Sequence, residues 1–289
     1  MSKMTFSIGI AVIALLLGSD TRIYAQAITT FDAPGSSDTF AASINPAGEI
    51  TGDYRDANSV LHGFLRKRDD TIVPFDPPGA IATFAASINP AGEIAGDYVD
   101  ANSVFHGFLR KRDGTIISFD PTGSTLTEGR SINPAGEVTG DYRDANFASH
   151  GFLRESDGTI VPFDPPGSIA TFSESINPAG QITGEYQDQA DLLSHGFLRE
   201  RDGTIIPFDA PGSTDTEGTS INTAGQITGD FVDTNFVVHG FLRKRDGTII
   251  PFDPTGSMRT LPASINSAGQ IMGIFRDANF VWHGFLRNP

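Results

Sequence analysis

A chain of 289 residues with no cysteine and a formal charge of −15 cannot be held by disulfides or carry thiolate metal sites. Its acidity argues against nucleic acid, whose binding rests on cations meeting phosphates. It leaves metal cations, cationic partners or plain solubility open.

In chain order, the first element is a leader. Met1-Ser2-Lys3 is a short basic start, residues 6–18 are apolar, and Ala25-Gln26-Ala27 is a small-x-small cleavage site. The apolar run is shorter than the roughly 20 residues a membrane-spanning helix needs. Residues 1–27 are therefore predicted to be a secretory signal peptide. Residues 28–289 form one exported domain, periplasmic, on the cell envelope or outside the cell, with no membrane segment. Loss of Lys3, Asp20 and Arg22 changes the formal charge from −15 to −16.

The rest of the chain repeats. His62, His106, His150, His195, His239 and His283 each open a His-Gly-Phe triplet, and successive copies are 44 or 45 residues apart. Such a period marks copies of one supersecondary unit. Four strand-like segments recur in each copy. They are a stretch ending in Ser43-Ile44-Asn45, then Gly48 to Tyr54, then His62 to Arg66, then Thr71 to Asp76. Each is rich in β-branched or aromatic residues and bounded by turn formers. Asn-Pro-Ala-Gly (45–48) predicts a tight turn between the first two segments, and Asp-Gly (113–114) a hairpin between the last two.

Four short antiparallel strands per copy predict an all-β fold, a single six-bladed β-propeller. The segment 28–33 reads like a fourth strand, whereas the chain ends after a third one. Pairing of 28–33 with the last blade is therefore the expected closure of the ring, which hides both sheet edges. A β-solenoid and paired sheets are the competing architectures.

The Ser-Ile-Asn-x-x-Gly-x-Ile-x-Gly and His-Gly-Phe-Leu motifs resemble those of the HAF family of bacterial extracellular repeats. Gly63 and its equivalents stand where that family's name has alanine. The resemblance covers residues 28–289 and implies export and repeat architecture. It implies no reaction and no catalytic residue.

Candidate chemistry follows from where the repeat places polar groups. Third strands stand far from a ring axis, so the six histidines cannot meet around one metal, and each is expected to bond within or between blades. The Asp-x-x-Asp pairs Asp53/Asp56, Asp97/Asp100, Asp141/Asp144 and Asp230/Asp233 are candidate calcium ligands on the loop face; the same residues also form turns. No other cofactor is implied. Departures from the repeat mark a candidate ligand pocket beside the channel: Glu128, Arg130, Glu174 and Glu217. No catalytic constellation is recognisable. The leading reading is a monomeric binding module for a glycan, peptide or cell-surface partner through an acidic loop face. An extracellular hydrolase or lyase using the channel carboxylates, and an envelope scaffold, are the alternatives.

Overall fold

In the computed structural model, which describes residues 28–289, every regular element is a β-strand. The predicted leader, 1–27, lies outside the described residues. Among those residues no helix is long and apolar enough to cross a membrane. The first module is β1 (Ser36–Ile44), β2 (Ile50–Asp56), β3 (Leu61–Arg66) and β4 (Ile72–Phe75), paired antiparallel in that order. Four further modules repeat it: β5 (Ala80–Ile88) to β8 (Ile116–Phe119), β9 (Leu126–Ile132) to β12 (Ile160–Phe163), β13 (Ser168–Ile176) to β16 (Ile205–Phe208), and β17 (Ser213–Ile221) to β20 (Ile249–Phe252). A sixth has three strands, β21 (Ser257–Ile265), β22 (Ile271–Asp277) and β23 (Trp282–Arg287).

The turn chemistry explains why each copy folds alike. The Asn45 side-chain oxygen accepts the backbone N–H of Ala47 and of Glu49, both at 3.0 Å, and Gly48 closes the turn at φ +80°. That angle suits glycine, which lacks a Cβ. Gly52 is required for a different reason: the bulged first strand crosses so close that a Cβ there would lie 2.0 Å from the Phe40 carbonyl oxygen.

Successive modules are joined by the same three devices. The strand-three phenylalanine, fully buried in the first five modules, meets the strand-four phenylalanine of the preceding module edge-on, as Phe108 meets Phe75 at 5.9 Å. The next arginine covers the same ring, as Arg110 lies 5.0 Å from the centre of Phe75. Hydrogen bonds then run along the inner strands. Each turn asparagine donates to the next one's carbonyl, from Asn45 to Asn89 at 3.2 Å through to Asn222 to Asn266 at 3.0 Å. Each Ser-Ile-Asn serine accepts the next module's isoleucine N–H, as Ser43 does from Ile88 at 3.3 Å.

These ladders stop at both ends, and the predicted closure is not seen among the described residues. Residues 28–35 form no strand, and β23 pairs with β22 alone. No strand pairing joins the sixth module to the first among the described residues. The facing surfaces are open: Ile44 is 66% exposed where its five equivalents are 5–6% exposed, and Leu286 is 61% exposed where Leu109 is fully buried. Propensity favours a strand at 28–33, but an isolated strand forms only where a ladder receives it.

Candidate functional site

The histidines take the local role their spacing demands. His62 Nδ1 lies 2.7 Å from Asp76, whose other oxygen accepts the Thr83 hydroxyl of the next module at 2.6 Å. The same arrangement recurs at His150, Asp164 and Thr171 and at His239, Asp253 and Thr260. Each ring also packs on the strand-two aromatic, as His62 does on Tyr54. His283 differs. Its ion-pair partner is Asp277, at 3.3 Å through Nε2.

The Asp-x-x-Asp pairs do not converge. Successive side chains alternate across a strand, so residues three apart face opposite ways. Asp56, Asp100, Asp144 and Asp233 cap the β2–β3 type loops. Asp56 accepts the N–H of Asn58 and Val60 at 2.8 Å, and these bonds hold its carboxyl below the usual range. Asp53, Asp97, Asp141 and Asp230 lie mid-strand on the other face. Among the described residues no group of three or more His, Asp or Glu side chains is arranged to hold a metal.

The mid-strand carboxylates instead join the inner-strand residues picked out by sequence. Asp141 stands directly opposite Glu128, and Asp230 opposite Glu217. In the other modules Asp53 faces Phe40, Asp97 faces Phe84 and Glu185 faces Phe172, while the sixth module has Ile274 against Leu261. An acidic arc therefore runs through five modules and ends at an apolar sixth. Arg130 is its central cation: it bonds to Glu128 and reaches Asp141 at 3.4 Å.

Burial dominates the ionisation of this arc. It pushes Asp53 up to about 6, against the pull of Arg55. It pushes Asp141, Glu185 and Asp230 up to about 7, with neighbouring glutamates adding to the rise. Asp97 is raised well above the usual carboxylate range by burial and then by Glu128. Glu174 and Glu217 are also raised, first by burial. Like charges crowded out of water favour the protonated form.

The arc opens into a cavity of about 330 Å³ lined by Asp53, Phe84, Asp97, Phe105, Glu128 and Arg130. Phe84 and Phe105 stack there, with ring centres 6.2 Å apart and planes 16° from parallel. No other module has aromatics at both positions. Of the residues predicted from sequence, Glu128 and Arg130 line this cavity, and Glu174 and Glu217 continue the arc beyond it. Sequence reasoning missed Glu185, although Gly184-Glu185-Tyr186 occupies the same repeat position as Gly52-Asp53-Tyr54. Elsewhere Lys111 pairs with Glu93 at 2.9 Å and Arg201 with Glu137 at 3.4 Å.

No protein-family model and no curated protein matches the chain. Solved structures do match in fold. The β-propeller domain of the Trilobed protease from Pyrococcus furiosus, which has an open velcro topology, matches with a TM-score of 0.61 at 10% identity, over 87% of this chain and 81% of that one. TolB from Acinetobacter baumannii matches with a TM-score of 0.56 at 15% identity, over 82% of this chain but only 60% of that one. The fold is a β-propeller. Its modules are blades, β1 and its equivalents are the inner strands, and the acidic arc lies along the inner part of the blades.

Proposed function

We propose that the protein is an exported binding module that holds an ammonium group in the cavity between blades one, two and three. The observation that carries this reading is the Phe84–Phe105 stack beside Asp53, Asp97 and Glu128. Carboxylates attract a cation, and aromatic faces stabilise it further. Arg130 already neutralises Glu128, which leaves Asp53 and Asp97 to ionise against the ligand. A basic peptide side chain and an amino sugar present the same chemistry.

Calorimetric titration with a lysine-containing peptide, glucosamine and N-acetylglucosamine tests it. The first two should bind and the neutral sugar should not. Asp97→Asn and Phe84→Ala should each weaken binding. Equal binding of glucosamine and its neutral N-acetyl form would refute the proposal.

A hydrolytic reading has one specific support: Glu128, held by Arg130, faces Asp141, whose carboxyl titrates near neutrality. A carboxyl that titrates near neutrality can serve as general acid or base. Loss of glycoside or peptide turnover in both Glu128→Gln and Asp141→Asn would support it, and the absence of any turnover in the wild type would remove it.

We further infer that the ring closes between blades six and one. The open ends of the repeated ladders are complementary: Asn266 has no following asparagine carbonyl, Ser264 no following isoleucine N–H, and His283 no fourth-strand aspartate, while Asn45, Ile44 and Asp32 carry the matching groups. Segment 28–33 would then supply the missing fourth strand.

A further inference from the structure

Blade six breaks the repeat with a pair of like charges. Arg259 on β21 stands directly opposite Arg276 on β22, which in turn stands opposite Trp282 on β23. In blade one the same two positions hold Asp38 and Arg55, an ion pair at 3.8 Å. In blade two they hold Ala82 and Val99, and in blade four Ala170 and Gln187. Like charges directly opposite in a sheet destabilise it. Neither arginine of blade six is in an ion pair among the described residues.

The surroundings fit a ligand that would relieve this repulsion. Arg276 is pre-oriented: its Nε donates to the Phe280 carbonyl at 3.3 Å, and its guanidinium lies 4.6 Å from the Phe280 ring centre and 5.8 Å from that of Trp282. Both arginines line a cavity of about 230 Å³ between blades five and six, walled by Phe236, Met258 and Phe280. Phe236 and Phe280 occupy the loop position that has positive φ in every blade, here at +64°. Asp277 also lines the cavity, but its carboxylate already accepts the N–H of Asn279 and Val281 at 2.9 Å and faces His283.

We propose that this cleft binds a carboxylate attached to a ring, such as a uronic acid unit or an aromatic acid. The carboxylate bridges Arg259 and Arg276, and the ring lies between Phe236 and Phe280. Planar guanidinium groups suit this anion. The site is separate from the ammonium cavity and does not depend on it.

Trp282 is the single tryptophan of the chain and reports on the site directly. Titration of the whole exported chain with glucuronate or benzoate should change its fluorescence saturably, whereas glucose at the same concentration should leave it unchanged. Arg259→Asp recreates the blade-one pair. It should weaken carboxylate binding by about tenfold or more and raise the melting temperature of the unliganded protein. Arg259→Gln should weaken binding without loss of the fold. The proposal is overturned if neither carboxylate gives a saturable change, if Arg259→Gln binds as the wild type does, or if Arg259→Asp melts lower. Inorganic phosphate competing as strongly as benzoate would overturn the ring component.

Discussion

Replacing Asp141 by asparagine should make this protein more stable at pH 8, although it removes a charged side chain beside an arginine. Asp141 is only 4% exposed and faces Glu128 across the strands. Burial, opposed by Arg130, raises its carboxyl from 3.8 to about 7 in the folded state. A carboxyl whose folded value is raised binds its proton more tightly in the native state. Its contribution to stability is full below about pH 4 and is lost as pH rises through about 7. The gap corresponds to at most about 4 kcal/mol at pH 8. Screening by the polar surroundings reduces this to about 2 kcal/mol. Asparagine mimics the protonated form, so wild type and variant should melt alike near pH 4. At pH 8 the variant should melt about 4–8 °C higher. Thermal melts by circular dichroism at pH 4, 6 and 8 measure this. A variant that melts at or below the wild type at pH 8, with the same pH slope, would refute the assignment of a buried, proton-holding carboxyl. Asp144→Asn is the control of opposite sign: hydrogen bonds lower that carboxyl, so its contribution is present at neutral pH and lost as pH falls.

Four further outcomes are expected. Leu153→Ala should cost about 2–5 kcal/mol as a buried core truncation. Leu286→Ala should cost as much if blades six and one close, and a cost near zero in urea melts would rule out closure. Asn133→Ala should cost about 2–4 kcal/mol in the same melts, because Asn133 accepts two turn N–H groups and donates to Glu137 and to the Asn177 carbonyl. Phe147→Asn should raise stability by about 1 kcal/mol, read as a higher urea midpoint, because Phe147 is exposed at φ +68°.

The strands and turns were legible because their determinants are local. Asn45, Gly48 and Gly52 act within a few residues or across one strand pair, and every copy repeats them. The histidines were legible by exclusion, since ring geometry forbids a shared metal, and their partners Asp76 and Thr83 lie in the same repeat. The aspartates misled because their spacing in sequence looks like a loop, whereas a period of two sends Asp53 and Asp56 to opposite faces. Phe84 and Phe105 come together through two different strands, and no linear motif records that. Closure is the hardest case. The complement between 28–33 and the last copy is visible in sequence, but a strand there exists only if the sixth blade receives it.

The departures from the repeat separate into two kinds by their energetic sign. Ala82 for Asp38, or Gln187 for Arg55, exchanges one tolerable pair for another, and such changes need no ligand to account for them. Glu128 against Asp141, Glu217 against Asp230 and Arg259 against Arg276 are different, because each places like charges opposite one another. Each costs stability that a neutral neighbour in the same position would restore. Glu128 lines the cavity of Phe84 and Phe105, Glu217 and Asp230 line a separate one with Phe231, and Arg259 and Arg276 line that of Phe236 and Phe280. A like-charge pair next to an aromatic wall is an arrangement that a counter-charged ligand would relieve. The proposed sites are therefore places where the repeat would have folded more stably without them.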